Sequence, residues 1–457
     1  MFLRKLTCIF LATWWLGTAY HVAGSTQLSS AAGTEYFVSG AGDDKNSGTS
    51  STTPFRTIQK AANLANPGDV INVMEGEYTN ACASCSVVDI TRSGAADNWI
   101  VFRAYPGHKP VLRPNGWHGF QIKSGASYIE ISGFEVQGNR AAVTFDYCRT
   151  ERMNNNPLCN GNGITIDGRN DGANKPHHIR IARNRVWQVP GGGINAIQTD
   201  YVTIEDNIVH ENAWYSRFAN SGISVYQGWN FDDGPGTKIF VRRNQVFNNR
   251  SLVEWSATNK LSDGNGIIID DLRNTQNSST LGSYRGGVRI ENNLSFNNGG
   301  AGIQAFKSDQ IDIINNTTYQ NGQVVGYADI LVNQSGSVRV LNNIAYSRSG
   351  ARPIEILQVT NLQADYNLTF NGSASQTGPN DIQADPRFAL PSTEWGLADF
   401  HVLIGSPAFS SGDWSTAPAQ DLDGVMRFMN GGVTRGAFET IASRVRRELP
   451  GRRVADR

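Results

Sequence analysis

The 457-residue chain has no excess of either charge: 40 Lys and Arg face 40 Asp and Glu, and only 18% of residues are charged. That removes the basic field on which a general nucleic-acid or anionic-membrane binder depends. Past the N-terminus, no window approaches the roughly 20 apolar residues of a spanning helix. Cysteine is scarce, at five, and lysine is nearly so, at nine, the last being Lys307. Glycine is abundant at 48 residues, and the 39% hydrophobic fraction is enough to fill a core. The composition is that of a turn-rich, Asn- and Gly-rich extracellular fold.

Residues 1–24 have the layout of an export signal: Arg4 and Lys5, an apolar stretch from Leu6 to Leu16, then small residues. The mature chain is therefore expected outside the cytoplasm, secreted or periplasmic. Removing the signal leaves Cys82, Cys85, Cys148 and Cys159. Four cysteines allow three pairings, of which the sequence-local one staples two loops. A zinc site is disfavoured, because no His pair sits at ligand spacing beside them.

A short motif recurs: Asn, two residues, then usually an aromatic. It starts at Asn184, Asn207, Asn244, Asn293, Asn316, Asn343 and Asn367, with spacings of 23, 37, 49, 23, 27 and 24 residues. A step of 23–27 residues is one coil of a parallel β-helix, and the longer steps hold insertions. Between these lie Gly-led alternating strands at Gly163, Gly193, Gly222, Gly266 and Gly302. Their period of two sends alternate residues inward. Asn stacked at a turn can bond the coils above and below, and the aromatics can stack in the same way. These Asn are structural.

The expected architecture is all-β: a right-handed parallel β-helix over 36–375 with an N-terminal helical cap, Pro54 to Ala65. Coils run from about Trp99 to Phe370. A small closing module follows over 376–440, then a basic flexible tail over 441–457. A cap is physically required, since a bare terminal coil is an open strand edge.

A solenoid binds along one strand face walled by its insertions. The insertions at 137–160, 212–236 and 248–264 carry Trp214, Tyr215, Trp229, Phe231 and Trp255, flat rings suited to sugar faces. Aligning the strands puts Gly168, Gln198, Gln227, Asp271, Lys307, Gln334 and Gln358 in one column, with Asp167, Tyr226, Asp270 and Asn333 in the column before it. Asp270 and Asp271 then lie one coil from Lys307, about 4.8 Å away.

A β-helix with aspartates on one coil and Lys on the next resembles the pectate lyases of polysaccharide lyase family nine. The resemblance implies Lys307 as Brønsted base and Ca²⁺ held by Asp270, Asp271 and Asn274, which match the family's Asp-Asp-x-x-Asp run in part. A further ligand would come from the preceding coil, Asp232 or Asp233, with Asp233 taken as the ligand. Arg273, Trp229, Trp255 and Gln304 would contact substrate, an acidic, uronate-containing polysaccharide cleaved by β-elimination by a monomeric protein. A glycoside hydrolase on the same scaffold would need two carboxyl groups roughly 5–9.5 Å apart, by type Asp270 with Asp271 or Asp167 with a loop acid. The third reading is a polysaccharide-binding protein without catalysis.

Overall fold

The computed structural model describes residues 33–427 and 432–440. The export signal at 1–24 and the tail at 441–457 lie outside the described residues. Among the described residues, no helix is long and apolar enough to cross a membrane.

Each coil contributes three short strands in turn, for example Ile303–Phe306, Asp309–Ile314 and Thr317–Tyr319. Every one pairs in parallel with its counterpart in the coils before and after. The stack therefore has three faces, called here sheets 1, 2 and 3 in chain order, and is a right-handed parallel β-helix. Alternation fills its interior: Ile267 and Ile269 from sheet 1, Val288 and Ile290 from sheet 2, and Val246 from sheet 3 are all buried. Each such side chain contributes about 1.5–3 kcal/mol of burial.

The coils begin earlier than Trp99. Glu35–Val38 pairs in register with Val70–Val73, which pairs with Ile100–Ala104. These first coils lack the Asn motif, so no period marks them in the sequence. The helix is shorter than expected, Ile58–Leu64, started by Thr57, whose hydroxyl accepts from the Lys60 amide. It lays Ile58, Ala61 and Ala62 over the first coils. Beyond Phe388 the chain lies against the outer face of sheet 3, where Phe388, Phe400 and Phe438 pack on Phe296, Tyr319 and Leu368. Both disulfides are the sequence-local ones, Cys82–Cys85 and Cys148–Cys159.

All seven motif Asn form one buried ladder at the corner between sheets 2 and 3. From Asn207 onward each Oδ1 accepts both the backbone and the side-chain amide of the Asn one coil earlier, as Asn293 does from Asn244 at 3.0 Å twice. The Asn293 Nδ2 group donates to Asn316 Oδ1 and to the Val241 carbonyl. A second ladder, Asn212–Asn249–Asn298–Asn321, runs at the next corner. It accounts for Gly193, Gly222, Gly266 and Gly302 at the head of their sheet 1 strands. A Cβ on Gly222 or Gly302 would stand 2.6 Å from a ladder amide nitrogen.

Asn293→Ala removes the acceptor for Asn244 and the donor to Val241 in the dry interior, so it should cost about 2–4 kcal/mol. Urea unfolding checks this against Ser51→Ala, an exposed change expected within about 0.5 kcal/mol.

Candidate functional site

The outer face of sheet 1 is walled on both sides. On one side stand the connections from sheet 3: residues 137–161, 211–221 and 248–265. They are tied together by Arg149–Glu254, Arg152–Asn259 and the Arg140 guanidinium over the Trp214 ring at 3.9 Å. On the other side stand the connections to sheet 2: residues 168–176, 229–236 and 271–286.

The bend from sheet 1 to sheet 2 is made by one left-handed residue per coil: Gln198, Gln227, Asp271, Lys307, Gln334 and Gln358, with φ between 47° and 53°. This is the column read from sequence from Gln198 onward; Gly168, placed at its head, does not share the left-handed conformation. Its side chains form a third ladder, from Gln198 Nε2 to Gln227 Oε1 at 2.9 Å and from Gln227 Nε2 to Asp271 Oδ2 at 3.0 Å. Asp271 is fully buried and also accepts from the Thr275 amide and hydroxyl and the Gln276 amide. It anchors the loop that follows. Lys307, the next rung, leaves the ladder: among the described residues no hydrogen bond or ion pair holds its ammonium, which lies 5.2 Å from the Phe306 ring centroid.

Beside this column are two carboxyl groups in a recess, each densely surrounded yet still partly open to solvent. Asp270 ends its sheet 1 strand and accepts from Gln276 Nε2 at 2.8 Å. Burial, then the charge of Asp263, pushes it up to about 7, while Lys307 acts the other way. Asp263 closes the third insertion and is held by Ser262 Oγ and Asn265 Nδ2, both at 3.0 Å. Burial pushes it up to about 6. The turn that aims it needs Gly264, whose φ is +67° and whose Cβ would meet the Ser251 nitrogen at 2.4 Å. Tyr226, in register with Asp270, has its hydroxyl bonded by Asn277 and is pushed up to about 12 by burial.

Sequence reasoning named Asp270 but not Asp263. The available signal was the Asp263-Gly264 turn immediately before a core strand.

The other expected residues have varied placements. Asp233 is strongly exposed and ion-paired with Arg285. Arg273 is taken by Asp309 in a two-pronged pair at 2.6 and 2.9 Å. Trp229 is half-buried against His177 and Phe231, with centroids 6.2 and 6.0 Å apart. Trp255 sits in a tight turn closed on Lys260 at the end of the wall. Gln304 lies on the floor, one coil from Ile268, and its buried Oε1 has no partner. Asn274 donates to the Gly228 and Gly282 carbonyls, leaving its buried Oδ1 unpaired.

These placements do not fit the calcium shell expected of Asp233, Asp270, Asp271 and Asn274. Asp233 belongs to Arg285, and both Asp271 oxygens are filled by protein donors. Among the described residues, no three His, Cys, Asp or Glu side chains gather as a metal shell would. A separate depression of about 370 Å³ lies on sheet 2, lined by Asp312 and Arg339 among others. Those two neutralise each other in an ion pair, so that depression offers no poised acid or base.

A stacked, three-faced β-helix with an open walled sheet defines a class whose members include pectate lyases and glycoside hydrolases. Residues 36–343 match the family described as Pel9A-like, right-handed β-helix region, and the chain belongs to that family. The fold is shared with pectate lyase Pel9A (TM-score 0.53, 16% identity, 89% of this chain and 96% of that one). It is equally shared with XylC in complex with xylose (TM-score 0.53, 11% identity, 89% and 98%). In sequence, the chain is 27% identical over 227 residues to a lacto-N-biosidase of Bifidobacterium longum subsp. longum, across 43% of this chain. The match spans only 13% of that relative's length.

The raised carboxyls predict a stability signature. A carboxyl raised in the folded state favours folding fully below its unfolded value, near 3.9, and loses that contribution as pH rises through the folded value. For Asp270 the window is pH 4 to about 7. Asp270→Asn should therefore raise the melting temperature by a few degrees at pH 8 and hardly at pH 4, read by thermal scans at the two pH values.

Proposed function

We propose that this protein is an exported glycoside hydrolase acting through Asp263 and Asp270. The observation that carries the reading is two recessed carboxyl groups, Asp270 at the end of a sheet 1 strand and Asp263 on the wall beside it, both raised by burial and Asp270 further by the charge of Asp263. Such a pair gives up its protons in two steps, and between about 6 and about 7 it holds one. Asp270 keeps that proton and delivers it to the glycosidic oxygen as the bond to the anomeric carbon breaks. The Asp263 carboxylate stabilises the positive charge developing on the sugar and takes a proton from the incoming water. The recess keeps both groups desolvated while leaving them reachable. The two disulfides support an oxidising compartment.

A second reading rests on one specific observation, the unpaired ammonium of Lys307 one coil from Asp271. In that reading Lys307 removes the proton α to a uronate carboxylate and the chain is broken by elimination, leaving an unsaturated product.

The assay is one incubation series on neutral and uronate-containing glycans, followed for both reducing ends and ultraviolet absorbance. Hydrolysis predicts reducing ends without absorbance, and a bell-shaped kcat/KM with limbs near pH 6 and pH 7. Asp263→Asn and Asp270→Asn should each lower kcat by about 10²–10⁴. Lys307→Met removes a charge that lowers Asp270, so the alkaline limb should move to higher pH with activity retained. Absorbance that disappears in Lys307→Met would instead establish elimination.

A further inference from the structure

The floor of sheet 1 carries a second polar cluster, three to four strand spacings before the carboxyl pair, or about 14–19 Å at about 4.8 Å each. His118, at the start of its strand, and Asp167, at the end of the next strand, stand there; Asp167 lies in the row of Asp270, and His118 reaches the outward-facing Thr165. Asp167 is gripped by Arg169 through two bonds at 2.9 and 2.8 Å. Burial alone would raise Asp167, but the bonds and charge of Arg169 outweigh it and hold the carboxyl below its usual range. His118 Nδ1 lies 3.2 Å from Thr165 Oγ1, which accepts from Asn195 Nδ2 at 3.3 Å. Burial pushes the imidazole down to about 4, so the ring is neutral and offers one N–H donor.

Neither the carboxyl pair nor the three Asn and Gln ladders use this cluster. Its charges cancel within it: Lys123 pairs with Asp89 at 2.9 Å as Arg169 pairs with Asp167. What it offers is a neutral set of aimed donors and acceptors, with the Arg169 guanidinium half-exposed above it. On the coils between the two clusters the row of Asp167 continues through Ile197 and Tyr226 to Asp270. Asn195 and Ser224 follow Thr165 in register, and Gly192 and Ser221 occupy the row of His118. The outward face of sheet 1 is thus continuous between the two places.

We propose that His118, Asp167 and Arg169 form a distal subsite for a neutral, hydroxyl-rich sugar unit, so that the substrate is an oligosaccharide lying along sheet 1 towards the N-terminal coils. A pyranose unit advances an extended chain by about one coil, so the subsite takes a unit about three or four places from the bond at Asp270. The hydrogen bonds from a paired Asp–Arg fork and a neutral imidazole suit vicinal hydroxyls and give no advantage to a uronate. This subsite rests on the hydrolase reading for its direction of use but not for its existence.

The test uses full-length Asp270→Asn protein, whose turnover is slowed by about 10²–10⁴, on an array of neutral and uronate oligosaccharides from dimers to hexamers. Affinity should rise with length in a neutral series and level at about five units. Arg169→Ala and His118→Gln should each cut the pentamer-to-dimer affinity ratio about tenfold. Equal affinity for dimer and pentamer, a preference for uronate chains, binding of no sugar, or a ratio untouched by both substitutions would each overturn the subsite. Turnover by the unsubstituted protein reports separately. Length-dependent binding without hydrolysis removes the carboxyl-pair reading and keeps the subsite. Hydrolysis indifferent to length does the reverse.

Discussion

Everything in this molecule hangs on the satisfaction of backbone and amide groups at buried corners. A β-helix turns its chain sharply several times per coil, and each turn buries polar groups that the strand ladders cannot reach. The Asn ladders answer this, because an amide side chain offers an acceptor to one coil and donors to the next. The ends of both ladders show the rule by its exception. Asn321 gives its two amides to Asp329 Oδ1, and Asn367 gives its own to Asp381 Oδ1. The last rung needs only an acceptor, so an acid can replace the amide. Burial pushes Asp329 up to about 7 and raises Asp381 as well.

The cleft grows out of the same constraint. The Gln198–Gln227–Asp271 ladder fixes the bend from sheet 1 to sheet 2, and its acidic end organises residues 271–276. Gln276 of that loop then holds the neighbouring Asp270. A structural ladder thus becomes the support for a reactive carboxyl within one residue. The recess carries a cost in stability: two carboxyl groups are kept where they are harder to ionise, a local conflict of the kind natural proteins retain at working sites.

Much of the fold is legible because its constraints are periodic. The seven motif Asn, the column from Gln198 to Gln358 and the adjacency of Asp271 to Lys307 all stand where alignment of the repeats puts them. A second ladder was open to the same reading, since Asn212, Asn249, Asn298 and Asn321 each follow a motif Asn by five residues. What escaped lies off the period. Asp263 sits in an insertion whose path no repeat dictates, and Asp233 lies on a loop that carries it to Arg285 instead of to Asp270. Asp271 was visible as an acid at the right height, but its saturation by Gln227, Thr275 and Gln276 depends on how a loop folds back.

The sequence by itself determined the coil, its length, its inward residues and the rung on which each bend falls, because stacking repeats identical contacts and so writes them at regular intervals. Only the tertiary structure decided which acids are free and which are consumed, and which loop brings Asp263 to the strand end that carries Asp270. Those outcomes turn on single contacts between insertions of unequal length, and a contact made once leaves no period in the chain.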